Sequence, residues 1–251
     1  MLAPYRGYTH LIRMTARSRK PVDVLAIPNY GPIEVAEVLH IAPATLHYWI
    51  GKESGRLITP AQRTPPILSF KNLVECYVLD IIRRIHKVSM PNVRFSVETL
   101  KALQKAQHLM KTPYPLADHD LKIDEHKRLF VYDLQGRIVN LTAGGQIEVA
   151  EWVAACLKRV VRDRDGVARR FHPLIRRHNT LQQAAADPSL VVVDPRISFG
   201  KPVLVNSAIS TEVIAGRIVA GDLEEELANE YGRTRAEIRA AAQFENVPIT
   251  A

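Results

Sequence analysis

The chain has 251 residues, 47% of them hydrophobic, with 34 Lys+Arg against 26 Asp+Glu and a formal net charge of +8. That length exceeds the commonest single-domain size and predicts two or three small units. No apolar run approaches the roughly 20 residues that span a bilayer, and residues 1–20 lack the apolar stretch of a secretory signal, which sets aside a spanning or secreted protein and predicts a cytoplasmic one. Cys76 and Cys156 each sit in an apolar helical run, as buried free thiols would. The charge is uneven: residues 1–110 carry a net +8 and residues 191–251 a net −3. A cationic end suits phosphate and an acidic end suits a protein partner.

Residues 1–20 hold Arg6, Arg13, Arg17, Arg19 and Lys20 with no acid, and read as a flexible basic arm. Two short helices then start at Pro32 and Pro43, each proline suiting a first-turn position whose N–H would be unbonded anyway. The first would bury Ile33, Val35, Ala36, Val38 and Leu39; the second would turn Leu46 and Trp49 inward. His40, Ile41 and Ala42 leave chain only for a sharp turn, so the pair predicts a helix-turn-helix. Ala44, Thr45, His47 and Tyr48 are then available to a DNA groove or backbone, although Ala42 offers the helix no side-chain cap.

Gly51, Gly55, Pro60, Pro65 and Pro66 break helix over residues 51–66 and fit a wing carrying Arg56 and Arg63. Helical spacing returns over residues 67–87, with Ser69 as a cap, and again over residues 91–109. From Pro113 the pattern changes to short alternating runs. Residues 129–132 with 137–141, and 158–162 with 167–171 around Arg164-Asp165-Gly166, predict two hairpins, and residues 147–156 a helix between them. Asp163 and Asp165 have no third ligand nearby, and the pairs His119/His126 and His172/His178 fit no zinc spacing. With no nucleophile motif, phosphate-cradling loop or carboxylate cluster, the chain is expected to be no enzyme and to need no cofactor or metal. An Ala- and Gln-rich connector leads to two short strands around Gly200-Lys201-Pro202, then to helices from Thr211, Asp222 and Thr234, with Asp222 and Thr234 as caps.

The predicted fold class is therefore α+β, mainly α. Its units are the basic arm 1–20, a winged helix-turn-helix 21–112, a small α+β domain 113–177, a connector 178–188 and a helix-turn-helix-like unit with a short β-hairpin, 189–251.

Residues Ala42-Pro43-Ala44-Thr45-Leu46-His47-Tyr48-Trp49 resemble the recognition helix of MerR-like winged helix-turn-helix proteins. Gly55-Arg56-Leu57-Ile58-Thr59-Pro60 with Arg63 resembles their wing, and Ser69-Phe70-Lys71-Asn72-Leu73 the start of their next helix. Thr45 and His47 would approach bases, and Tyr48, Arg56, Arg63 and Lys71 would approach phosphates. Asp194-Pro195-Arg196-Ile197, Gly200-Lys201-Pro202-Val203, Ser210-Thr211-Glu212-Val213-Ile214, Ala220-Gly221-Asp222 and Glu237-Ile238-Arg239-Ala240-Ala241 resemble the small four-three-three domain of unknown function found in bacterial antitoxins. The order of units is similar to VapB-type antitoxins, which implies an antitoxin that neutralises a PIN-like ribonuclease toxin and represses their operon. A ligand-responsive MerR-like repressor without a toxin is the alternative.

One reader covers only a half-site, so a homodimer is expected, through Val213, Ile214, Ile218, Leu223 and Leu227. In the last helix pair, Arg233, Arg235 and Arg239 would meet acidic groups of the toxin, while Asp222, Glu224, Glu225, Glu226 and Glu230 would repel DNA.

Overall fold

The computed structural model describes residues 23–51, 56–85, 93–123, 125, 129–132, 138–140 and 150–248. The expected basic arm and the turn expected between residues 132 and 137 lie outside them. The chain is helix-rich, and its described strands form four small antiparallel sheets.

A 3-10 turn, Val24–Ala26, leads into α1, Pro32–Val38, whose first turn closes when Glu34 accepts the Gly31 N–H. Val35, Ala36, Val38 and Leu39 are buried, but Ile33, expected with them, is 61% exposed. At about 100° per residue it lies some 140° from the centre of their stripe, too far to share it. The chain then turns at His40, whose φ of 49° is left-handed, and enters α2, Pro43–Ile50. Trp49 and Leu46 are fully buried. Next, β1, Gln62–Arg63, pairs with β2, Pro66–Ile67.

The spine is α3, Phe70–Ile85, which is buried all round from Phe70 to Ile82. Ser69 caps it by accepting the Asn72 N–H. A helix without a solvent face must satisfy its charges internally, and this one does. Lys71 meets Asp23 at 2.8 Å and Asp118 at 2.6 Å, and Asp80 accepts from both Arg83 and Arg84. Against α3 pack α5, Pro115–Asp118, and α6, Ala150–Leu157; α4, Val93–Met110, precedes them.

An unexpected strand, β3, Asp120–Ile123, pairs with β4, Leu129–Tyr132, which pairs with β5, Ile138–Asn140. The second hairpin is β6, Val160–Arg162, with β7, Ala168–Phe171, turning at Gly166. One apolar cluster runs through all of this, from Leu25 by way of Leu116 to Val193.

The connector contains α7, Leu181–Ala186, capped by Thr180. Then β8, Val191–Val192, pairs with β9, Val203–Leu204, and α8, Thr211–Val219, α9, Glu224–Tyr231, and α10, Arg235–Phe244, close a second small core around Ile214, Leu227 and Ile238. Thr234 caps α10 as expected, but the residue before α9 is Leu223, not Asp222. Asp222 instead holds Arg217 of α8, which also grips Glu230, so one guanidinium ties α8 to α9.

This last unit packs against the residues that flank α1. Tyr30 Oη donates to the Gly200 carbonyl at 3.0 Å, Asn29 Nδ2 donates to that of Phe199 at 2.7 Å, and Phe244 of α10 meets the His40 ring edge-on at 5.3 Å.

Candidate nucleic-acid and partner interfaces

The outer side of α2 presents Ala44, His47 and Tyr48, the last 38% exposed. Thr45 corrects its expected role: it is 7% exposed, about a quarter turn from the centre of the Leu46, Trp49 and Ile50 stripe, and is drawn into the core. His47 Nδ1–H donates to the Pro43 carbonyl at 2.9 Å, which aims Nε2 away from the helix as an acceptor when the ring is neutral.

Arg56 and Arg63 come together. They line a cleft of about 290 Å³ with Gln104 and Gln107 of α4, and Arg56 Nε donates to the Gly51 carbonyl at the end of α2. Lys71 does not join them. Burial works against its charge, but bonds from Asp118 and Asp23 outweigh that and raise its pKa, so the ammonium is held inside, away from any phosphate.

The residue that composition could not reveal here is Asn72. Its Oδ1 accepts from Ala61 N–H at 3.0 Å and Ser69 N–H at 3.1 Å, and its Nδ2 donates to the Thr59 carbonyl at 3.0 Å. One amide thus pins the leg of the expected wing to the first turn of α3. Its signals in the sequence are its place three residues after a capping serine and within the stretch that resembles the start of the helix after a wing.

In the terminal unit, Glu224 gathers two of the three expected arginines. Arg239 makes two bonds to it, at 3.1 and 2.8 Å, and Arg235 lies 3.8 Å away; their side chains remain 49% and 61% exposed. Arg233 is separate and structural: it donates to the Asn206 carbonyl at 2.8 Å and pairs with Glu237 one turn on. The apolar set also splits. Ile214 and Leu227 are fully buried in the unit's own core and Ile218 is half-buried, which removes the first two from any dimer surface, whereas Val213 and Leu223 stand 51% and 62% exposed. Val219, outside the expected set, is 72% exposed.

With this geometry in view, the likenesses fall into place. Residues 191–244 match the family model described as "Protein of unknown function (DUF433)". The crystal structure of Rv2018 from Mycobacterium tuberculosis superposes with a TM-score of 0.56 at 22% identity, covering 86% of this chain and 97% of that one. The two share a fold. At the level of sequence, the chain is 26% identical over 241 residues to a protein of Mycobacterium tuberculosis strain H37Rv named "Putative antitoxin VapB45", spanning 86% of this chain and 92% of the relative. Among the described residues, no helix is long and apolar enough to cross a membrane.

Proposed function

We propose that this protein is an antitoxin: a non-enzymatic regulator that binds and neutralises a PIN-like ribonuclease toxin and, as a homodimer in the cytoplasm, binds operator DNA to repress its own operon. The observation that carries the reading is the likeness to the antitoxin-named relative, which runs nearly end to end in both chains and so includes the helix pair as well as the terminal unit.

In this reading α1, α2 and the β1–β2 hairpin act as a MerR-like winged helix-turn-helix within residues 21–112. His47 reads bases, while Tyr48, Arg56 and Arg63 meet phosphates; buried Thr45 and Lys71 do neither. The middle region, 113–177, supports the reader from behind α3, and residues 189–251 take the toxin, with Arg235 and Arg239 as its exposed cations. The acidic residues of α9 sit beside those arginines and disfavour a second DNA-reading head.

The test is co-expression of the chain with the product of the adjacent reading frame. Co-purification, restored growth of cells expressing that product, and a salt-sensitive shift of the upstream DNA are expected. A neighbour that neither co-purifies nor inhibits growth would end the antitoxin reading.

A further inference from the structure

Between the segment that follows β7 and the outer face of α10 lies a cleft of about 700 Å³. Arg176, Arg177, Asn179 and Gln183 line one side, and Arg239 and Gln243 of α10 the other. Its one carboxylate, Asp187, is already consumed: it accepts from Ile175 N–H at 2.9 Å, from Arg159 at 3.3 Å and from His178 Nε2 at 2.5 Å, and its side chain is 2% exposed. Arg176 and Arg177 are exposed and pair with no carboxylate among the described residues. Gln183 Oε1 accepts the backbone N–H groups of Asn179 and Thr180, at 3.2 and 3.3 Å, which leaves its NH2 as a donor. The lining therefore offers donors and positive charge: Glu224 holds Arg239 through two bonds, and Arg176 and Arg177 keep the planar fork that matches a carboxylate.

We propose that this cleft seats an extended acidic segment of a protein partner, with Arg176 and Arg177 on its carboxylates and the three side-chain amides on its main chain. The volume holds several peptide residues rather than one inorganic anion. A nucleic acid strand is the poorer match, because a polyphosphate needs cations along its length, whereas α10 lines its side of the cleft with Ala236, Ala240, Gln243 and an Arg239 already held by Glu224, leaving the adjacent Arg176 and Arg177 to one or two carboxylates. That the segment belongs to the toxin rests on the antitoxin reading; the preference of the cleft for an acidic peptide does not.

The full-length chain is titrated against a fluorescein-labelled octapeptide of alternating Glu and Leu, and against its counterpart with Gln for Glu, by fluorescence anisotropy. Two variants accompany it: R176E/R177E, which reverses charge, and Ala236→Trp, which fills the cleft from exposed Ala236 of α10 while keeping every charge. Binding of the acidic peptide, at least about tenfold weaker for the Gln peptide and in each folded variant, is expected. Equal binding of both peptides, or undiminished binding by a folded variant, overturns the proposal. So does displacement by millimolar inorganic phosphate, which would make this a phosphate site.

The same variants are then tested with the product of the adjacent reading frame. If the wild type captures it and both variants capture it equally, the assignment of the acidic segment to the toxin fails and the antitoxin reading stands. If the wild type does not capture it, the antitoxin reading fails and the peptide titration still decides the cleft.

Discussion

His47 and Arg63 separate the two ways a side chain contributes to DNA binding. With Nδ1–H held by Pro43, His47 leaves Nε2 for a base edge in the proposed reader, so His47→Ala should reduce discrimination between operator and random duplex by about 1–3 kcal/mol. Arg63→Ala should weaken binding to every duplex and lower the salt slope by about one; filter binding at several salt concentrations reads both effects.

Two buried groups at this scale set opposite pH dependences. Burial lowers the pKa of His40, against the weaker effect of its bond to the Leu174 carbonyl, so below about pH 6.5 the unfolded chain binds a proton that the folded chain resists. Its contribution is complete above that value and lost as pH falls. His40→Asn, which tolerates the left-handed backbone, should flatten the fall in melting temperature between pH 7 and 5. Burial raises the pKa of Glu75 well above its ordinary value, so here the folded chain holds the extra proton. Glu75→Gln should therefore stabilise at pH 8 and lose that advantage at pH 4, as urea titrations at the two pH values would show.

At the scale of elements, the proposed wing and the terminal unit each hang on one small feature. Asn72→Ala would strip partners from the Ala61 and Ser69 N–H groups and the Thr59 carbonyl, costing about 2–3 kcal/mol and releasing the leg that carries Arg63. Lower thermal stability and weakened operator binding should appear together. Gly200 has a φ of +80°, and a Cβ there would come within 2.1 Å of Tyr30 Oη. Gly200→Ala should cost about 1–3 kcal/mol, and less in a Tyr30→Phe background, because the clashing oxygen is gone while the backbone strain remains. Melting curves of the two single variants and the double close that cycle.

Over the whole molecule, the terminal unit is tied to Asn29, Tyr30 and His40 on either side of α1, so a partner held by α10 bears on the same body that carries α2. Dimerisation belongs to this scale. Val213, Val219 and Leu223 expose apolar surface on a unit that buries Ile214 and Leu227, and these are the residues through which the proposed dimer would pair. Leu223→Glu with Val213→Glu should convert the proposed dimer to a monomer in light scattering at micromolar concentration without loss of helix by circular dichroism. A wild-type monomer under those conditions would remove the dimer from the proposal.

The sequence alone determined the local structure. Pro32, Pro43, Ser69 and Thr234 mark helix starts that the structure keeps, and Asp165-Gly166 marks a hairpin that it also keeps, because first turns, caps and tight turns are set by neighbours within about four residues. What depended on distant chain was decided by the tertiary structure. Lys71 looks like any basic residue near a DNA reader until Asp23 and Asp118, from two other elements, close on it. Thr45 and Ile33 changed places because a short helix buries only what its neighbours cover. Strand β3 formed because β4 supplied its hydrogen bonds, and the cleft of Arg176, Arg177 and Arg239 exists because segments about sixty residues apart were folded against each other, a juxtaposition that no spacing along the chain encodes.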